Sequence, residues 1–286
     1  MLKGLWKPLC AIVAVSGIMA LNPALAAWEL DMPVGVTTLS DMIRDLHHEI
    51  LIICTITGAL LFGVMGYALF TFRKSRGVKA ASFSHNTTAE IIWTIIPIFV
   101  LIYMAVPSAR AILEIEDSSN PDLTIKVTGY QWKWGYEYLD NGVAFFANMD
   151  EASAAAARLG SGIDVMEIEN YLRDVDKRMV VPVGKKVRIL LTANDVIHAW
   201  WVPQLYIKKD AIPGFVNEMW FTATETGVFR GQCAELCGRG HGFMPIVVEV
   251  VSEADYAVWV AENGGESSAV AVATTVPSTD SSVTAL

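Results

Sequence analysis

The sequence predicts a two-helix membrane hairpin followed by an all-β domain of sandwich or barrel type. Three observations carry that expectation. Two charge-free apolar runs, 50–72 and 91–109, are each long enough for a helix to cross a hydrocarbon layer of about 30 Å, which takes about 20 residues. From Leu123 onward, short β-type runs are punctuated by glycine, proline, asparagine and aspartate. Hydrophobic residues make up 53% of the 286 and charged residues only 18%, a balance too apolar for an ordinary soluble protein.

The elements follow in chain order. Lys3 and Lys7 precede an apolar run over 9–21 and then Ala24-Leu25-Ala26. Basic start, short apolar middle and small-residue cleavage site together read as a secretory signal over 1–26, with a middle too short to span a bilayer. The segment 27–49 is then exported, and 50–72 is the first membrane helix. Arg73, Lys74, Arg76 and Lys79 separate the two runs, whereas Glu114, Glu116 and Asp117 follow the second. Basic residues are retained on the cytoplasmic side, so the loop and helix start over 73–90 are cytoplasmic and both mature ends face outward. The signal independently requires an exported N-terminus, and the two agree. Before the second membrane helix, 91–109, Thr87-Thr88-Ala89-Glu90 reads as a capping box, and the Glu90 carboxylate suits the positive end of the helix dipole.

The exported domain is expected over 111–262. Its strand candidates are "LTIKVTGY", "WKWGYEYL", "KKVRILLTA", "NEMWFTAT", "GVFRG" and "IVVEVV". "EASAAAAR", 151–158, is a good helix former and reads as an insertion between strands. "SEADYAVWVAEN" opens with an N-capping Ser252 and Asp255 three residues on, and predicts a short terminal helix. Residues 263–286, rich in Ser, Thr, Val and Ala, lack periodicity and read as a disordered or processed tail. From Ala111 onward there are 13 Lys/Arg and 24 Asp/Glu, against a net charge of −9 for the whole chain. Such a surface argues against nucleic acid or anionic lipid and suits a basic partner.

"GQCAELCGRGHGFMPIVVEV", 231–250, concentrates the domain's soft donors. Of four cysteines, Cys10 leaves with the signal and Cys54 sits in the first membrane helix, so Cys233 and Cys237 remain. Of five histidines, only His198 and His241 lie in the domain. Three chemistries compete here. A disulfide suits an oxidising compartment but leaves both histidines and Met244 without a role. Structural zinc is satisfied by two Cys and two His but has no use for a thioether. Copper accepts thiolate, imidazole and thioether together, and two bridging thiolates with one histidine per metal could hold a pair. The thioether favours copper.

These stretches resemble a known family. The glycine-rich loop is similar to the copper-A loop of subunit II of cytochrome c oxidase, the aa3-type haem–copper oxidase. "TTAEIIWTIIP", "GYQWKWGYEY" and "DVIHAWWVPQLYIKKDAIPG" resemble the start of its second membrane helix, its aromatic segment and its first histidine loop. The resemblance covers nearly all of the mature chain, and the insertion and tail are similar to bacterial members. It implies a cupredoxin-like Greek-key barrel in a bacterial inner membrane, with the copper domain and both mature termini periplasmic. It further implies a dinuclear copper cofactor held by His198, Cys233, Cys237, His241 and Met244, completed by the backbone carbonyl of Glu235. The Glu235 side chain would then face a magnesium shared with subunit I, a hard carboxylate for a hard cation. Trp132 becomes the ring through which electrons arrive from cytochrome c, and Glu137, Asp176 and Asp195 the acids that steer that basic partner. Glu90 becomes the mouth of a proton channel leading into subunit I. Haems and oxygen chemistry belong to the other oxidase subunits.

Two other protein classes share parts of this pattern. A copper-delivery protein also uses cysteine pairs, but on a thioredoxin-like fold, and no βαβ pattern is visible here. A quinol-oxidising relative shares the architecture but lacks the two cysteines that this chain retains.

Overall fold

The computed structural model describes residues 32–79 and 82–265. The expected signal over 1–26 lies outside the described residues, as does the tail beyond residue 265.

Helix α1 spans Thr38–Thr71 and α2 spans Thr87–Ile115, each long and apolar enough to cross a membrane. α1 starts well before its apolar run because Thr37 and Ser40 close a capping box. The Thr37 hydroxyl accepts from the Ser40 amide at 3.0 Å, and the Ser40 hydroxyl accepts from the Thr37 amide at 3.1 Å. α2 is capped one residue earlier than the sequence suggests. Asn86, in extended conformation, accepts from the Ala89 amide at 3.1 Å, and Glu90 Oε1 accepts from the Asn86 amide at 3.3 Å. Asn caps at least as well as Thr, so the Thr87 hydroxyl is not the cap, yet the backward bond from Glu90 is retained.

The outer ends of both helices are tied to the β domain. The Val36 amide donates to the Gln204 carbonyl at 2.9 Å, the Thr37 hydroxyl donates to the Leu205 carbonyl at 3.1 Å, and Leu39 is buried. At the end of α2, Trp220 Nε1 donates to the Glu114 carbonyl at 3.2 Å, and Lys209 pairs with Glu116 at 2.8 Å. Two tethers on separate helices fix the hairpin to the domain at one joint.

The β domain consists of two five-stranded sheets among the described residues. The first runs β3 (Ala144–Ala147), β2 (Lys133–Tyr138), β1 (Leu123–Tyr130), β5 (Lys186–Ala193), β8 (Asn217–Thr222). The second runs β4 (Met179–Pro182), β10 (Pro245–Val251), β9 (Gly227–Cys233), β6 (His198–Val202), β7 (Ile207–Ala211). β1 pairs parallel to β5, and β4 parallel to β10, while the remaining pairs are antiparallel. Four of these strands, β3, β4, β6 and β7, were not anticipated. β3 is short, β7 carries Lys208, Lys209 and Asp210, and β6 opens on histidine, so none shows the alternation or β-branched density that marks a strand. Pro182 closes β4 on a sheet edge, where no ladder donor is required.

β5 alternates strictly between half-buried and buried residues, as a sheet with one covered face requires. The core between the sheets includes Ile125, Val127, Ile189 and Leu191 from one side and Trp200, Val202, Ile246 and Val248 from the other. The expected insertion contains α3 (Glu151–Ala156) between β3 and β4. The terminal helix α4 (Glu253–Glu262) is capped by the Ser252 hydroxyl, which accepts from the Asp255 amide at 3.1 Å.

Candidate metal centre

The second sheet brings the donors to one end of the domain. β6 begins at His198, β9 ends at Cys233, and Met244 immediately precedes β10. Trp200 pairs with Cys233, and Pro245 with Gln232, so these three strand ends are neighbours. Between β9 and β10 the glycine-rich loop turns back on itself, with Gly238 at φ +111°, a left-handed conformation that side chains resist.

The thiols of Cys233 and Cys237 lie 3.8 Å apart, unbonded and buried. His198 Nδ1 is 3.9 Å from the Cys233 sulfur, and His241 Nδ1 is 3.6 Å from the Cys237 sulfur. Met244 Sδ is 3.6 Å from the Cys237 sulfur, and the Glu235 carbonyl oxygen is 3.3 Å from the Cys233 sulfur. Six donors therefore converge, and the ligand atoms of His198, Cys233 and Cys237 all fall within 4.8 Å of one another. Soft-metal ligands stand about 2.0–2.3 Å from their ion, so donor separations of this size suit residues sharing a metal.

His198 is fully buried, and its other nitrogen is engaged. Nε2 donates to Asp195 Oδ1 at 2.9 Å, which leaves Nδ1 facing the sulfur. A carboxylate behind an imidazole is the usual way to orient a metal-ligating histidine. Burial opposes charge on His198 but is outweighed by the Cys233 thiol and the Asp195 carboxylate, and its pKa is raised. Burial likewise opposes ionisation of Asp195, outweighed by His198 and by the Val196 and Gln131 amides, and its pKa is lowered.

The two thiols are pushed apart electrostatically. At Cys233, burial is overcome by the His198 imidazole and nearby backbone groups, drawing its pKa down to about 7. Burial and the charge of Cys233 drive Cys237 up to about 12. The site holds one thiolate easily and a second only against a compensating cation, as a metal supplies.

Trp132 lies in the turn between β1 and β2 and is half-buried. Trp134, Tyr136 and Tyr138 are core residues. Trp132 Nε1 donates to the Cys237 carbonyl at 3.2 Å, and Gln131 Nε2 donates to the same oxygen at 2.9 Å. The Arg239 guanidinium sits 5.7 Å from the centre of the indole. A Cβ on Gly240 would fall 2.2 Å from the Trp132 ring, so glycine there lets the indole rest on the loop backbone. Gly129 plays the same part for His198, where a Cβ would meet Cδ2 at 2.8 Å. The contacts of Gln131, Gly129 and Gly240 are not visible in the sequence because their partners are distant along the chain. The glycine density of the loop was the one visible signal.

Of the remaining candidates, Asp195 and Glu235 touch the centre and the others stand away from it. Glu137 pairs with Lys126 at 3.0 Å on a half-buried strand face. Asp176 accepts from the Asn148 amide at 2.8 Å and from its side-chain nitrogen at 2.9 Å, closing the neck of the insertion. Asp195 is engaged with His198 and also accepts from the Gln131 amide at 2.7 Å. The Glu235 side chain is exposed while its carbonyl faces the sulfur. Glu90 belongs to no part of this centre. It sits in the first turn of α2, about 36 Å along the helix axis from Glu114 at the joint, in a shallow groove lined by Thr87, Ile91, Thr94 and Ile95.

Two family profiles match the chain. "Cytochrome C oxidase subunit II, transmembrane domain" covers residues 25–111, and "Cytochrome C oxidase subunit II, periplasmic domain" covers 123–251. The probable cytochrome c oxidase subunit 2 of Rickettsia felis is 38% identical over 253 residues, which are 88% of this chain and 77% of that protein. Cytochrome c oxidase subunit 2 of Cereibacter sphaeroides is 42% identical over 207 residues, 70% of this chain and 68% of that protein. Among solved structures, the periplasmic domain of subunit II of cytochrome oxidase of Bradyrhizobium japonicum is 42% identical with a TM-score of 0.45, covering 51% of this chain and 96% of that one. On the profiles and on relatives aligned over more than two thirds of their length, this chain, a membrane protein with a β domain, belongs to the cytochrome c oxidase subunit 2 family.

Proposed function

We propose that this subunit takes single electrons from cytochrome c at a dinuclear copper centre and passes them to the haems of subunit I, for proton-coupled reduction of oxygen to water. The observation that carries the proposal is the convergence of two free thiols and two imidazole Nδ1 atoms in one buried pocket. When bound, the copper pair supplies a one-electron carrier whose charge is shared between two metals. The protein does the rest. Cys233, Cys237, His198, His241, Met244 and the Glu235 carbonyl would hold the pair. Asp195 keeps His198 in the tautomer that offers Nδ1, the strand ends fix His198, Cys233 and Met244, and the glycine-rich loop between β9 and β10 carries the remaining donors, an arrangement in which little rearrangement would accompany electron transfer. Trp132 provides an aromatic protein route inward, since its ring nitrogen bonds directly to the backbone of Cys237.

The basic loop between the helices and the signal-like start support an orientation with that loop in the cytoplasm and the copper domain outside, on the periplasmic face of a bacterial inner membrane. The expected boundaries, with spans over 50–72 and 91–109, belong to the same proposal. Glu90, at the cytoplasmic end of α2, then takes up protons for subunit I while also receiving the Asn86 amide. The exposed Glu235 carboxylate would bind a magnesium shared with subunit I. Glu137, Asp176 and Asp195 contribute negative potential for a basic donor.

Near-infrared and electron paramagnetic resonance spectra of the purified oxidase test the metal assignment. A mixed-valence pair with its electron delocalised over two copper nuclei is expected. A single blue copper or a spectroscopically silent zinc at this site would overturn it.

A further inference from the structure

The insertion between β3 and β4 emerges at the metal end of both sheets. Its outgoing strand ends at Ala147, opposite Trp134 and close in sequence to Trp132. Its returning strand, β4, starts at Met179 parallel to β10, so the preceding residues run back toward Pro245 and Met244. The insertion is not a loose loop. Its neck is closed by Asp150 to Asp174 at 3.2 Å and Asp176 to Asn148 at 3.0 Å between backbone groups. The buried Ser153 hydroxyl accepts from the Leu172 amide at 3.0 Å. Two further bonds anchor it to the strand that carries Cys233: Gln232 Nε2 donates to the Leu172 carbonyl at 3.3 Å, and Arg230 pairs with Asp174 at 3.0 Å.

At the tip of this anchored arm, Leu159 is fully exposed, Met166 is 87% exposed and Ile163 is 47% exposed. Val165, between Ile163 and Met166, is exposed as well, so four apolar side chains within eight residues face solvent on an anchored segment. They are interleaved with exposed Glu151, Glu167 and Glu169, and Arg158 is the one basic residue from 151 to 169. Exposed apolar side chains interleaved with acids fit a partner whose contact face mixes apolar groups with lysines.

We propose that the insertion is a second docking arm for the cytochrome c donor, flanking Trp132 and holding the donor over it. The inference rests on the reading of Trp132 as the electron port. The apolar tip limits dissociation while the acids speed encounter, so the arm acts on donor affinity and leaves the transfer step itself to Trp132.

The test uses the whole purified oxidase with a soluble, lysine-rich cytochrome c. Two double variants are compared: Glu167→Lys with Glu169→Lys, and Leu159→Ser with Met166→Ser. Both change only exposed side chains, and an unaltered copper spectrum confirms the centre is intact. Each is expected to raise KM for cytochrome c about three- to tenfold at low ionic strength, the scale of exposed interactions, with kcat unchanged. The charge effect should vanish at high salt and the apolar effect should persist. Wild-type KM in both variants would overturn the proposal, as would loss of another oxidase subunit or a changed oligomeric state, since the arm would then face that neighbour. Trp132→Ala measured alongside separates the two failures. If that variant transfers electrons at the wild-type rate, the port is misassigned; if it is slow while both arm variants retain wild-type KM, only the docking arm falls.

Discussion

Asp195 holds His198 from the side away from the sulfurs: its Oδ1 lies 2.9 Å from Nε2, and Nδ1 is thereby turned toward Cys233. The same carboxylate accepts from the Gln131 amide at 2.7 Å, so one side chain fixes both a candidate ligand and the turn that carries Trp132.

Removing the Asp195 carboxylate should therefore do more than weaken donor docking. Asp195→Ala is expected to lower copper affinity about 10–100-fold, the usual consequence of removing the partner behind a metal-ligating histidine, and to shift the copper spectrum. Asp195→Asn keeps an acceptor for Nε2–H and should retain the spectrum while raising KM for cytochrome c. Competitive chelator titration with the visible spectrum reads both. Equal spectra for wild type and Asp195→Ala would leave Asp195 a surface charge only.

Met244 is buried, with Sδ 3.6 Å from the Cys237 sulfur. Met244→Leu nearly conserves volume and should cost less than about 1.5 kcal/mol of stability. A weak axial thioether tunes a copper site more than it holds it, so the variant should bind copper with an altered spectrum and reduction potential. Unchanged values in spectroelectrochemistry would remove Met244 from the ligand set.

Contact between Trp132 and the loop yields a paired prediction. Trp132→Ala should slow transfer from bound cytochrome c by orders of magnitude with the copper content intact, because no donor is touched. Gly240→Ala places a methyl where the indole lies and should slow the same step by displacing the ring, although Trp132 itself is still present. Flash photolysis of the bound complex measures both. Wild-type transfer in Trp132→Ala would make the ring a packing residue.

Glu90→Gln separates proton uptake from helix capping. Glutamine can still accept from the Asn86 amide, so α2 should start where it does now. Steady-state turnover of the oxidase should fall, while reduction of the copper centre by cytochrome c stays fast. Wild-type turnover would leave Glu90 with the cap alone.

Much of the architecture was legible because it depends on local pattern. About twenty uncharged apolar residues in a row admit few structures other than a long helix in a membrane, since every backbone group must be satisfied within the segment. The capping residue of α4 and the helix in the insertion are set by neighbours three or four positions away, within reach of a sequence argument. The cap of α2 was misplaced by one residue because Asn86 and Thr87 are both competent caps, and only the backbone conformation at Asn86 chooses between them.

The donor types were legible for the same local reason: two thiols, an imidazole and a thioether within a dozen residues narrow the chemistry to soft metals or a disulfide. The sequence alone left that choice open. Tertiary structure decided which atoms meet. His198 reaches Cys233 because β6 and β9 pair across 35 positions of sequence. Trp132 reaches Cys237 across 105 positions, through an approach that Gly240 permits. The edge strands β3, β4 and β7 were invisible beforehand because their residues are selected by partners on the neighbouring strand and the facing sheet, not by their own periodicity. Local spacing determined what this chain carries, and long-range pairing determined what those groups can do together.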